Sequence, residues 1–152
     1  SILNEGSVFS FSLICEEASP EKVDEKVVND HSFENIKVLV VEDNEINIKV
    51  ISKRLERLSV QFDVARNGEE GVAMAREHKY QIIFMDIQMP ILDGFGATKL
   101  IRENDLNTPI VAMTANVQSE DQEMCFEVGM NAFLGKPINK TELIAILERF
   151  SF

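Results

Sequence analysis

Basic residues, cysteine and histidine are all scarce in this sequence. Against 26 Asp and Glu stand 15 Lys and Arg, giving a formal net charge of -11 over 152 residues. A nucleic acid or an anionic lipid surface would meet mostly carboxylates, which argues against direct binding to either. Of the 2 cysteines, Cys15 and Cys125, neither has metal-site spacing, and their density is too low for a secreted disulfide scaffold. Two reduced thiols in a cytosol are therefore expected. His31 and His78 stand apart among polar neighbours, which leaves zinc without a ligand cluster. No apolar run approaches the roughly 20 residues needed to span a bilayer. The first residues also lack the basic start and long apolar core of a signal peptide. The sequence starts with Ser1 rather than Met and in the middle of a pattern, so a fragment of a longer protein is expected. That fragment is expected in the cytoplasm with no direct membrane contact, whether or not its parent is anchored in a membrane.

What is present divides into three textures. Residues 1–14 alternate Phe9, Phe11 and Leu13 with serines, as a half-buried strand would. Residues 15–35 turn polar and acidic, with Glu16, Glu17, Glu21, Asp24 and Glu25, and read as a linker. Val23 and Val27, four apart, could support one amphipathic helical piece inside it. From 36 to 152, short apolar runs alternate with longer amphipathic stretches. Val38-Leu39-Val40-Val41, Ile82-Ile83-Phe84-Met85 and Ile110-Val111-Ala112-Met113 are apolar on both faces, which suits parallel strands covered by helices on either side. Residues 62–65 and 132–134 are weaker candidates for two more strands. Ile48, Ile51, Leu55 and Leu58 recur at helical spacing, as do Leu143, Ile146, Leu147 and Phe150. Segments around 69–77, 94–102 and 119–128 complete five helices. Asn44 and Asn67 stand where N-caps are expected, and Pro109 at a strand start, where a missing N–H does least harm. The expected fold is α/β, a doubly wound five-stranded parallel sheet with right-handed crossovers, carrying the N-terminal strand and linker as an appendage.

In an open parallel sheet, chemistry gathers beyond the carboxyl ends of the strands. Glu42 and Asp43 follow the first run, Asp86 the third, Thr114 the fourth and Lys136 the fifth. Three carboxylates at one rim would repel by roughly 4 kcal/mol per pair at about 4 Å, so a divalent cation is expected there. Oxygen-only ligands with few carboxylates suit magnesium. Asp86 is expected at the end of its strand, exposed in the following loop, with its carboxylate placed to attack phosphorus. Thr114 offers a hydroxyl donor to a phosphoryl oxygen, and Lys136 a mobile positive charge. Each residue alone has a duller explanation as a solvated acid, a turn cap or a surface lysine. Their joint placement at successive strand ends is what carries the reading.

With those residues in hand, the stretch 37–150 resembles the receiver domain of two-component signalling. The resemblance rests on Val-Leu-Val-Val-Glu42-Asp43-Asn44, Met85-Asp86-Ile-Gln-Met-Pro90-Ile-Leu-Asp-Gly94, Ala112-Met-Thr114-Ala115-Asn116 and Phe133-Leu-Gly-Lys136-Pro137. It implies a (βα)5 flavodoxin-like fold and a phosphoacceptor in a phosphorelay, taking a phosphoryl group from a kinase phosphohistidine onto Asp86 with Mg2+. It implies that Glu42, Asp43, Asp86 and the backbone carbonyl of Gln88 hold the ion, Asp43 more directly than Glu42. The Lys136–Pro137 bond would be cis. Thr114 and Phe133 would form a switch pair, and Gln88 and Asn116 would line the approach of hydrolytic water. The fourth helix, fifth strand and fifth helix would then present an altered surface, read by a histidine phosphotransfer domain or another kinase module.

Met-Asp-Ile-Gln-Met-Pro followed by Phe95-Gly-Ala-Thr-Lys-Leu-Ile-Arg102 resembles receivers attached to hybrid histidine kinases. Residues 6–13 resemble the closing strand of a kinase ATP-binding domain. By that resemblance the parent is a sensor histidine kinase that phosphorylates a protein histidine from ATP. This piece would perform only self-directed phosphotransfer and autodephosphorylation. Two other readings stand beside it: a receiver-shaped docking module that works without phosphate, and a doubly wound phosphatase with an aspartyl nucleophile. The second wants an Asp-x-Asp where Glu42-Asp43 stands.

Overall fold

Runs that are apolar on both faces are stable only where helices cover a sheet from either side. In the computed structural model, which describes residues 33–115 and 119–150, the three strongest runs form the middle of one parallel sheet. Its strands are β1 (Lys37–Val41), β2 (Gln61–Ala65), β3 (Ile82–Asp86), β4 (Ile110–Thr114) and β5 (Ala132–Gly135). Between them run α1 (Glu45–Arg57), α2 (Gly68–Glu77), α3 (Gly94–Arg102), α4 (Ser119–Val128) and, after β5, α5 (Lys140–Phe150). The strand order β2-β1-β3-β4-β5 is the doubly wound arrangement expected. The winding reverses between β1 and β3, and a crevice opens beyond their carboxyl ends.

Register levels the strand ends. Val41 pairs with Met85, Asp86 with Met113, and Thr114 with Gly135. Residues just past β1 and β5 therefore stand beside the last residues of β3 and β4. The core supports this rim from below: Leu39, Phe84, Met85, Ile110 and Leu134 are fully or almost fully buried.

Caps fix where the helices begin. Asn44 Oδ1 accepts the N–H groups of Ile46 at 2.8 Å and Asn47 at 3.2 Å, and Asn67 Oδ1 accepts that of Glu70 at 2.8 Å. Asp93 caps α3 through Gly96 N–H at 2.8 Å. A Cβ at Gly94 would lie 2.3 Å from the carbonyl oxygen of Asp86, so only glycine lets α3 start this close to the end of β3.

The packed unit begins ahead of the boundary expected at residue 36. Phe33 is buried, its N–H donates to Leu58 O at 3.1 Å, and its carbonyl accepts from Ile36 N–H at 3.1 Å. A buried aromatic whose backbone is tied to the end of α1 packs with the domain, whose compact unit starts at Phe33. The expected N-terminal strand, most of the linker, Cys15, His31 and Asn116 lie outside the described residues. Among the described residues no helix is long and apolar enough to cross a membrane.

Candidate functional site

Four of the five strands, all but β2, deliver chemical groups to the crevice at their carboxyl ends. Glu42 continues the line of β1, its N–H donating to Ala65 O at 3.0 Å. That turns its side chain inward, where it is 1 % exposed and Oε1 accepts Asn44 N–H at 3.1 Å. Asp43, the next residue, is exposed. Thr114 ends β4 and is buried, and its carbonyl accepts from Lys136 N–H at 2.8 Å, which fixes the lysine backbone beside β4. The Lys136–Pro137 bond is cis, as the resemblance implied.

Asp86 differs from expectation. It is the last residue of β3, paired with Met113, and is only 4 % exposed instead of standing free in a loop. A carboxylate can be held there only against a counter-charge. The Lys136 ammonium supplies it, 2.8 Å from Asp86 Oδ1 and 2.9 Å from Glu42 Oε2. The lysine side chain is itself mostly buried, so its charge is held between the two acids rather than left mobile. Glu42 Oε2 has no well-aligned hydrogen-bond donor, which makes its contact with the ammonium an ion pair.

The electrostatics of this group are unbalanced. Burial pushes the Asp86 carboxyl up, and the neighbouring Glu42 pushes it further, against the pull of Lys136, to about 7. Burial also acts to raise Glu42, but the Lys136 ammonium, the neighbouring Asp86 carboxyl and the Asn44 N–H outweigh it and hold Glu42 below the usual carboxylate range. Lys136 is raised, its two acidic partners outweighing the effect of burial. Carboxylate oxygens of Glu42, Asp43 and Asp86 lie within 4.8 Å of one another, three acids around one ammonium. Among the described residues this is the one group of three acid, His or Cys side chains close enough to share an ion. All-oxygen donors with excess negative charge fit a hard divalent cation.

The crevice is a pocket of about 360 Å³, and Glu42, Asp43, Asp86, Thr114, Lys136 and Gln88 all line it. The structure thus brings together every site residue read from strand ends. Phe133 is not among the pocket's walls. It is half-buried on β5, with its ring edge-on to Phe126 of α4 at 6.0 Å, over a groove that α5 closes from the other side. Asn47 lines the pocket and was not picked out from the sequence. Its signal was there, a polar residue four positions before Ile51 on the apolar face of α1. A larger cavity of about 860 Å³ opens at the opposite end of the sheet, beside Tyr80 and Asp105, and none of the three clustered acids lines it.

Known proteins resemble this chain in sequence and fold. The response regulator receiver domain family matches residues 38–148. Hybrid signal transduction histidine kinase B of Dictyostelium discoideum is 41% identical over 137 residues, a stretch covering 82% of this chain and 7% of that protein. The chain therefore spans a small fraction of that relative's length. A crystallised receiver domain of a sensor histidine kinase from Pseudomonas aeruginosa PAO1, with magnesium coordinated in its active site cleft, superposes with a TM-score of 0.71. Its identity is 38%, covering 76% of this chain and 96% of that one. The receiver domain of a Saccharomyces cerevisiae response regulator, co-crystallised with a histidine phosphotransfer signaling protein, gives a TM-score of 0.67 at 33% identity, covering 76% of this chain and 86% of that one.

Proposed function

The chain belongs to the response regulator receiver domain family, and on that premise we propose that Asp86 is its phosphoacceptor. The observation that carries the reading is the Lys136 ammonium bridging the buried Asp86 and Glu42 carboxylates within one pocket. An ammonium already 2.8 Å from the acceptor oxygen is placed to neutralise a phosphoryl oxygen once the group is transferred. The Thr114 hydroxyl, at the end of the neighbouring strand, donates to another.

The donor is a phosphohistidine. An Asp86 oxygen attacks phosphorus in line, the new P–O bond forming as the P–N bond breaks, and the electron pair leaves with the imidazole nitrogen. Glu42, Asp43, Asp86 and the Gln88 carbonyl would hold Mg2+, which when bound supplies positive charge against the phosphoryl oxygens. Adding about two negative charges shifts the domain between conformations already accessible to it. Thr114 moves toward the phosphoryl group, Phe133 follows, and the surface of α4, β5 and α5 changes for its reader, a histidine phosphotransfer domain. Gln88 and Asn116 set the lifetime of the acyl phosphate. The parent is a hybrid histidine kinase and the domain works in the cytoplasm. Support for that parentage is the kinase relative that covers 82% of the chain.

Intact-protein mass spectrometry after acetyl phosphate treatment tests the assignment. One phosphoryl adduct is expected on the wild type with Mg2+, and none after chelation or in Asp86→Asn. Undiminished labelling of Asp86→Asn would overturn it.

A further inference from the structure

Asn47 lines the acceptor pocket, yet neither the core nor the helix uses its side chain. Its backbone N–H is taken by the Asn44 cap, and its carboxamide makes no hydrogen bond among the described residues. Asparagine is a poor helix former, so the position gains nothing in helix stability from it. The helix fixes where that amide goes. Ile51, one turn on and on the same face, is 1 % exposed, and Ile48 beside Asn47 is buried as well. With those two anchored in the core, Asn47 falls where the same face emerges at the pocket. Side chains lean toward a helix N-terminus, and that of α1 opens onto the strand ends. A carboxamide is neutral, so it adds no charge to a pocket that already holds Glu42, Asp43 and Asp86, while offering two N–H donors.

We infer that Asn47 is a phosphoryl-contact residue: its Nδ2 donates a hydrogen bond to an oxygen of the phosphoryl group as that group is delivered to Asp86. The inference rests on the acceptor reading above and adds a donor from α1 to the ammonium that lines the same pocket from the end of β5. In transfer from acetyl phosphate, the bond from phosphorus to the Asp86 oxygen forms while the bond to the acetate oxygen breaks. The electron pair leaves with acetate, and Asn47 gives up no proton.

The experiment compares wild type, Asn47→Ala and Asn47→Asp in full chains. It follows labelling by acetyl phosphate at saturating Mg2+, Mg2+ affinity by calorimetry, and the urea midpoint. Asn47→Ala is expected to label about tenfold more slowly, as fits loss of one hydrogen bond to a charged group. Its Mg2+ affinity stays within about twofold, and its urea midpoint is equal or higher. Asn47→Asp is expected to be slower still, because a carboxylate would face the phosphoryl oxygens. Labelling of Asn47→Ala within about twofold of wild type would sink the inference while the acceptor assignment stands. A parallel loss of Mg2+ affinity would sink it too, by placing the effect on the ion. Failure of wild type to label, or labelling of Asp86→Asn, removes the acceptor reading instead.

Discussion

Asp63 puts a charge in the middle of β2, where an apolar residue would be ordinary, and its partners come from far along the chain. Its Oδ2 accepts from the Tyr80 hydroxyl at 2.8 Å and lies 3.1 Å from Lys37 Nζ. Lys37 in turn sits 5.4 Å from the centre of the Tyr80 ring. The Tyr80 hydrogen bond, with help from Lys37 and against burial, holds the Asp63 carboxyl below its ordinary range. Burial first, and then Asp63, push the Tyr80 phenol up. A depressed folded-state carboxyl stabilises the fold above the unfolded value of about 4, and that contribution is lost as pH falls through the folded value. Asp63→Asn is therefore expected to lower stability by about 0.5 kcal/mol at pH 7, a figure reduced for solvent screening of a partly exposed pair. The difference should vanish by about pH 2, and urea titrations at both pH values measure it. A constant difference across that window would show that the carboxyl's charge is not what matters. Residue-level facts of this kind were the least legible in the sequence. Asp86 was expected exposed in the loop after its strand, and Lys136, 50 residues on, makes its burial tolerable. Ile91 adopts φ 73°, a conformation that β-branched residues avoid, and nothing in its type marks it.

Elements were far more legible, because their signals are local. Two helices, Gly94–Arg102 and Ser119–Val128, span the segments expected for them, and Asn44 and Asn67 cap as read. The joints between elements were not legible, since they depend on side chains that cross from one to another. Arg102 closes α3 and reaches across. Its Nε donates to Gly129 O, one terminal nitrogen to Asp105 O and the other to Asn131 Oδ1, each at 2.9 Å. Asn131 Oδ1 also accepts Ile110 N–H at 2.9 Å, so one guanidinium ties the end of α3 to the α4–β5 turn and the start of β4. Gly129 lies in the left-handed region, where a Cβ would come within 3.0 Å of the Arg102 side chain. Arg102→Ala is expected to lower stability by about 2 kcal/mol, since half-buried carbonyls lose charge-assisted donors. Arg102→Lys should recover little of this, because a single ammonium nitrogen cannot reach three acceptors that are spaced for three guanidinium nitrogens. Urea unfolding checks both variants. A midpoint shift at constant slope is expected, and full recovery in the lysine variant would count against the forked geometry.

At the scale of the molecule, alternating elements and right-handed crossovers left few ways to wind this chain, which is why the sheet could be read before it was seen. Alternation alone does not choose the strand order. The order observed sets β1 beside β3, where Glu42 and Asp86 share one ammonium. The same topology is expected to make global stability answer to a divalent cation. Three carboxylates within 4.8 Å against one lysine leave the metal-free domain with net repulsion at its rim. A ligand bound by the folded state alone stabilises it by RT ln(1 + [L]/Kd), about 2.7 kcal/mol at ~100 times Kd. For a domain of this size that raises the thermal midpoint by roughly 10 °C. Asp43→Asn separates the two halves of this argument because it acts on them with opposite sign. Without Mg2+ the variant is expected to melt above wild type, one repelling charge having gone; with Mg2+ it is expected to gain less, one ligand having gone with it. Scanning calorimetry with chelator and across a Mg2+ series tests both. A variant that melts below wild type in chelator would mean that the rim acids do not repel one another, and one that responds to Mg2+ as wild type does would mean that Asp43 does not hold the ion.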